Sequence, residues 1–335
     1  DVQLHVSSCV FVREAIMEDD FDVTLHYGED ALFVNEHILN KQRYGLVATA
    51  VFYFRRHLAK DSAIDNKAKN KEWYFVTPQQ YYGALINRSK QLFDGEVIAY
   101  VQNLIAYEFA IRLNDPLELY LTQEEMEAYR SILRDIMMEC DDDVFFQASR
   151  MRTFQRVFYA RLKYGDDVVD KMYYCSGKVF LGDIRMAVFT GKGMAKIQQI
   201  KFVSENEIEL TGIMVNPFVE DIDFWMEDNK GNKYDITTIP TEYAQRRWLG
   251  ILVSKNLMFH LRLPVDVKMS YTLRGKYQKR YPIQLGMVFE NYASLDDDYA
   301  FSHFENHQFI ITYQEDAICI EKNLLDRYSK YEKKY

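Results

Sequence analysis

Cysteine is scarce in this sequence and is not arranged for metal or redox chemistry. Cys9, Cys140, Cys175 and Cys319 are widely scattered with no C-x-x-C spacing, the pattern of reduced, mostly buried thiols in a cytoplasmic protein. No apolar run approaches the length of a membrane span, and no signal-peptide pattern is present. A basic surplus is missing too. Lys+Arg total 41 against Asp+Glu 50, a net charge of −9 at pH 7, which argues against a general nucleic-acid binder. No Gly-rich phosphate loop of the dinucleotide or P-loop kind appears. Aromatic side chains, by contrast, are abundant, with Tyr 25 and Phe 22. They favour sheet packing, with carbohydrate-facing rings as a second use. The 335 residues, 48% apolar, suffice for two or three domains with a sizeable core.

The chain is organised around Leu25-His26-Tyr27-Gly28-Glu29-Asp30-Ala31-Leu32-Phe33. An extended segment meets a glycine, then two adjacent carboxylates, then a helix. Ala31, Val34 and Ile38 are apolar at helical spacing, so Glu29 and Asp30 fall in the first turn. Free N–H groups and the helix dipole favour ionised carboxylates there. A carboxylate so held suits a general base that takes a proton from an attacking hydroxyl. The same two residues also suit plain helix capping.

Further landmarks follow in order: His5-Val6-Ser7-Ser8-Cys9-Val10-Phe11, Glu14, Phe21-Asp22, Tyr27-Gly28-Glu29-Asp30, Tyr44-Gly45 and Phe52-Tyr53-Phe54-Arg55-Arg56. Together they resemble the second half of the catalytic domain of family-2, GT-A-type glycosyltransferases, especially bacterial enzymes that build teichoic acids and capsular polysaccharides. The resemblance covers roughly positions 1–110, about a third of the chain. It implies that Asp30 is the catalytic base and Glu29 its partner in shaping the site. Arg55 and Arg56 match a basic run that faces the donor diphosphate; guanidinium groups suit paired bonds to phosphate. His57 stands where another arginine is common, and Ser62 falls in the following loop with Asp65. His5 also sits in a family-like context and joins Ser62 as a substrate contact. A solvated basic turn is the plainer account of residues 55–57.

The family's metal-binding Asp-x-Asp belongs to the first half of its catalytic domain. Asp20-Phe21-Asp22, Asp141-Asp142-Asp143 and Asp221-Ile222-Asp223 have the letters but read as turn formers, a helix-exit loop and strand ends. No metal ligand is therefore assigned within this chain. The divalent cation, Mg²⁺ or Mn²⁺, is expected through residues outside it. The absent initiator methionine, the first motif and the charged run at 328–335 together suggest a fragment cut at both ends.

The expected fold is α/β, a partial GT-A domain, followed by an α-helical linker region and an all-β sandwich-like domain. Residues 1–75 form the first part, with strands at 2–11 and 44–54. Residues 58–75 are a polar linker that the resemblance makes a lid over the donor. Residues 76–170 form a helical extension, with one apolar stripe at Val97, Val101, Leu104, Ile105 and Phe109. Thr122 with Glu125 reads as a capping box. It opens a helix with the stripe Met126, Tyr129, Leu133, Ile136, Met137 and Cys140. Residues 171–322 switch to period two with regular turn signals, an antiparallel β-sandwich. Residues 323–335 read as a helical lead into another domain, such as a glycerophosphotransferase. Trp225, Trp248 and Tyr271 suit core packing better than a sugar platform.

The functional expectation is inverting transfer of a sugar from a nucleotide-sugar to a hydroxyl of a bacterial cell-surface polymer. The alternative is a non-catalytic polymer-binding or oligomerisation scaffold within a larger wall-polymer synthase. Partners are then a nucleotide-sugar, a polymer acceptor and a second copy joined through the β domain, with no nucleic acid and no transmembrane segment. The expected location is cytoplasmic, peripheral at the inner face of the plasma membrane.

Overall fold

The computed structural model describes residues 4–16, 21–47, 49, 51, 66–113, 119–188, 195–216, 223–240, 245–277, 281–289, 303–305, 309–314 and 317–322. The chain divides into two compact units, Asp1–Val168 with Trp248–Ile251, and Val169–Arg247 with Leu252–Tyr335. Helix and strand are both abundant, and they are segregated: the described helices precede the described strands.

The first unit is built on helices. α1 spans Glu29–Lys41, begins after Gly28 in the left-handed region (φ 86) and stops at Gln42, also left-handed (φ 54). It buries Ala31, Leu32, Phe33, Val34 and Leu39. A short helix, α2 (Glu72–Phe75), runs through a wide turn at Pro78–Tyr82 into α3 (Gly83–Leu92). α4 (Ala99–Arg112) is central; Val101, Leu104, Ile105, Ala106 and Phe109 are all fully buried. α5 (Gln123–Met138) starts at the expected capping box. The Thr122 side chain accepts from the Glu125 N–H at 3.2 Å, and the Glu125 carboxylate accepts from the Thr122 N–H at 2.8 Å. Its expected stripe, from Met126 to Cys140, is buried throughout. α6 (Asp142–Gln147) and α7 (Thr153–Tyr164) complete the set, and Gly165 (φ 93) ends α7. No helix among the described residues is long and apolar enough to cross a membrane.

Two expected strands are not formed by the described residues. In place of a strand at 2–11, the described residues form a 3-10 turn at Val6–Ser8, with Val10 fully exposed. The described residues of 44–54 belong to no strand, and 52–54 lie outside the description. A strand needs a neighbour to satisfy its N–H and C=O groups. The described residues before 173 supply none.

The second unit is β. It opens with β1 (Tyr173–Cys175), β2 (Lys178–Leu181) and β3 (Ile184–Val188), which pair in that order as a three-stranded meander. The long hairpin strands β4 (Ala195–Ser204) and β5 (Glu207–Asn216) come next. After them come β6 (Asp223–Asp228), β7 (Lys233–Asp235), β8 (Thr237–Pro240) and β9 (Arg246–Trp248). β10 (Ile251–Pro264), β11 (Ser270–Tyr277), β12 (Tyr281–Gln284) and β13 (Met287–Phe289) follow. The last three are β14 (His303–Glu305), β15 (Phe309–Gln314) and β16 (Ala317–Lys322). A six-stranded sheet runs β13–β4–β5–β10–β8, with β9 also paired to β10. A seven-stranded sheet runs β14–β15–β16–β11–β6–β7, with β12 on β11.

The hairpins expected around 204–206 and 229–232 are β4–β5 and β6–β7. Alternate residues of β10 (Phe259, Leu261, Leu263) and several of β11 (Tyr271, Leu273, Tyr277) are buried, the period of a one-sided core. One pair departs from the antiparallel expectation: β13 runs parallel to β4. The long excursion through β5–β12 gives the chain room to return in that direction.

Candidate functional site

The carboxylate pair sits where the sequence places it, in the first turn of α1. Gly28 is needed there for two reasons. Its φ of +86 disfavours a side chain, and a Cβ at that position would lie 2.8 Å from the Tyr81 ring. The Tyr81 ring therefore packs directly beneath the turn that presents Glu29 and Asp30. One Asp30 oxygen accepts from the Ala31 N–H at 2.8 Å, and the other lies 3.8 Å from His5 Nδ1. Burial raises the Glu29 carboxyl above its ordinary value, and the neighbouring Asp30 charge adds to the rise against opposing bonds from the helix N–H groups.

Three histidines neighbour this region in the sequence, and the structure separates them. His5 reaches Asp30. His26 Nδ1 pairs with Glu72 at 2.7 Å, and His37 bonds the Phe33 carbonyl at 2.9 Å while packing on the Phe33 ring. Of the three, the sequence places only His5 at the site. Arg55, Arg56, His57 and Ser62 lie outside the described residues.

Helix α4 brings a second group of polar side chains to the same place. At its start, the Tyr100 hydroxyl donates to Asn35 of α1 at 2.5 Å, tying the two helices together. At its end, Arg112 is 1% exposed. Its Nε donates to the Tyr82 hydroxyl at 2.7 Å, and its Nη1 donates to the Trp73 carbonyl at 2.5 Å. The guanidinium lies 3.8 Å from the centre of the Trp73 ring, and Lys67 Nζ lies over that ring at 5.0 Å. One turn before Arg112 stands Glu108, whose carboxyl is raised above its usual value. Burial is the main cause, the Asp30 charge adds to it, and Arg112, Lys67 and His5 oppose it. The Tyr81 phenol is pushed up by burial and by the charges of Glu108 and Asp30.

Four polar atoms in this unit are buried with no hydrogen-bond partner among the described residues: Trp73 Nε1, Thr77 Oγ1, Tyr81 Oη and Arg112 Nη2. Such atoms are costly in an ordinary core. Sequence reasoning missed Tyr81, Glu108 and Arg112 as site residues. The available signal was two opposite charges at i, i+4 within an otherwise apolar and aromatic run, Leu104 to Leu113.

Other candidates resolve as structure. Asp22 accepts from the Thr24 N–H at 2.9 Å, as a turn former does. Asp141 and Asp142 precede and start α6; Asp142 pairs with the buried Lys163 at 2.8 Å, and Asp141 accepts from Gln102 at 2.9 Å. Trp248 packs on Phe154 and Phe158, and Tyr271 is fully buried, so both are core. No group of three or more His, Cys, Asp and Glu able to hold a metal ion occurs among the described residues. Asp30 with His5 is only a pair, so these residues do not fit a divalent cation by themselves.

No family model matches the chain. It is 22% identical over 336 residues, 95% of its length, to the minor teichoic acid biosynthesis protein GgaB of Bacillus subtilis (strain 168). It is also 31% identical over 113 residues, 34% of its length, to the minor teichoic acid biosynthesis protein GgaA of the same organism. The chain spans 36% of the length of the first of these proteins and 23% of the second.

Proposed function

We propose that the protein takes part in teichoic-acid assembly as a glycosyltransferase. It moves a sugar from a nucleotide-sugar to a hydroxyl of a cell-surface polymer with inversion at the sugar carbon. The observation that carries this reading is the carboxylate pair in the first turn of α1, within a chain similar to GgaB over 95% of its length. Asp30 takes the proton of the acceptor hydroxyl. The oxygen attacks the anomeric carbon from the face opposite the leaving group, and the bond to the nucleoside diphosphate breaks with its electron pair on the phosphate. His5, 3.8 Å from Asp30, contacts substrate or orients the base. Arg55, Arg56 and His57 hold the diphosphate, and Ser62 contacts the donor. The work is done at the inner face of the plasma membrane, with copies joined through the β unit.

The test is nucleotide-sugar turnover by the full-length protein, wild type beside Asp30→Asn, with Mg²⁺ or Mn²⁺ and a panel of donors. Wild type should release nucleoside diphosphate with acceptor. The variant should fall roughly 10²- to 10⁴-fold while still binding donor. Equal rates would sink Asp30 as the base.

A basic cluster in the β unit supports a second reading, a polymer-binding scaffold. Lys201, His260 and Arg262 gather around the buried Glu209, and the donors that Lys201 and Arg262 do not spend on that carboxylate suit a phosphate-rich polymer. That reading moves ahead if wild type turns over no donor.

A further inference from the structure

Asp30 uses one polar group at the mouth of α1 and leaves Tyr81 and Glu108 without a task. Tyr81 is 1% exposed, its ring lies against Gly28, and its hydroxyl has no partner among the described residues. An O–H donor is thus buried and unused on a ring that packs against Gly28, the residue before Glu29 and Asp30. Glu108, on α4, is only half-buried; its charge acts on the Tyr81 hydroxyl, and the Asp30 charge acts on it. It makes no hydrogen bond among the described residues, so its oxygens are free acceptors. Arg112, one turn further along α4 and fixed by Tyr82 and the Trp73 carbonyl, sets the end of that helix in place.

The sign of the charge decides what such a place accepts. Glu29, Asp30 and Glu108 would repel a diphosphate. A neutral polyol offers what is missing: a hydroxyl oxygen to accept from Tyr81, and O–H groups to donate to carboxylates. We propose that Tyr81 and Glu108, beside Asp30, form the subsite for the hydroxyl-bearing part of the acceptor. One acceptor hydroxyl lies between Tyr81 and Glu108, and its neighbour is presented to Asp30. This rests on the transferase reading above and deepens it. The two residues select the acceptor, and Asp30 performs the proton transfer.

The experiment uses the full-length protein, sugar-labelled nucleotide-sugars with Mg²⁺ or Mn²⁺, and purified wall teichoic acid as the acceptor probe. Label in polymer and label released as free sugar are counted separately for wild type, Glu108→Gln and Tyr81→Phe. Glu108→Gln should raise the acceptor KM roughly 10- to 100-fold, and Tyr81→Phe roughly fivefold. Donor hydrolysis without acceptor should stay at the wild-type rate in both. Wild-type acceptor KM in both variants overturns the subsite and leaves the transferase reading standing. So does a matched fall of transfer and hydrolysis with a lowered urea midpoint, which would mark the two residues as core. A wild type that consumes no donor overturns the transferase reading and the subsite together.

Discussion

The buried carboxylates of the β unit and the polar groups around Tyr81 in the helical unit are treated in opposite ways. In the β unit the buried carboxylates are saturated. Asp228 accepts from the Lys230 N–H at 2.9 Å, from the Asn232 N–H and side-chain amide at 2.8 Å each, and from the Tyr234 hydroxyl at 3.1 Å. Burial alone would push its carboxyl up, but these bonds win and hold it at about 2. Glu209 accepts from Lys201 at 2.5 Å, His260 at 2.9 Å and Arg262 at 3.2 Å, and it is likewise held at about 2. In the helical unit, four buried polar atoms from Trp73 to Arg112 stay unsatisfied among the described residues, and in the β unit Trp225 Nε1, on the same strand as Asp228, does too. Closed networks fix strand register, because every bond is already made. Open ones leave bonds for a ligand, at a cost that the surrounding helices must carry.

The strongest test of that contrast removes the centre of the open network. Arg112→Ala would leave a cavity and strip the Trp73 carbonyl and Tyr82 hydroxyl of their donor. The expected loss is about 3–5 kcal/mol, read from urea denaturation. A loss under about 1 kcal/mol would mean that the network is not part of the core. Next in size is Gly28→Ala. The left-handed backbone and the 2.8 Å approach to Tyr81 should together cost about 2–3 kcal/mol. Because the same turn presents Asp30, polymer labelling should fall further than stability does.

The sequence was informative wherever a local rule set the outcome. The helix after Gly28, the box at Thr122 and Glu125, the stop at Gly165 and the hairpins at 204–206 and 229–232 each depend on a few adjacent residues. The failures needed a partner distant in sequence. Residues 2–11 have strand composition, but no described strand lies beside them to complete a ladder. At the site, Glu29 and Asp30 were legible because glycine, acids and helix start are contiguous. Tyr81 and Glu108 were not, since nothing adjacent to them in sequence says that they meet α1. The close approach to Gly28 brings Tyr81 there, and the Tyr100–Asn35 bond ties Glu108's helix to α1.

Acid titration should separate the units by sign. Glu209 is held at about 2, below its ordinary 4.5, so its contribution is complete above pH ~4.5 and is lost as pH falls toward ~2. Glu209→Gln should lower the urea midpoint at pH 7 and converge with wild type near pH ~2. Glu108 is raised above 4.5, so its charge opposes folding at neutral pH. The stability of its neutral form is present at acid pH and lost as pH rises through the raised value. Glu108→Gln should therefore raise the midpoint at pH 7, with the gain disappearing on acidification. Shifts of the same sign in both variants would break the contrast.

The smallest effect asks whether openness belongs to helices in general or to the site alone. At the start of α5 the helical unit has a closed network of its own. Thr122 and Glu125 satisfy each other's N–H groups, and Lys71 joins the Glu125 carboxylate at 2.5 Å. Thr122→Ala removes one acceptor from the helix end and should cost about 1 kcal/mol by urea denaturation. Donor hydrolysis and acceptor KM should stay at wild-type values, because no ligand completes this network. If the acceptor KM moved as it does in Glu108→Gln, the unsatisfied groups beneath Asp30 would be responding to helix stability at large. Their separate standing as a binding site would then be lost.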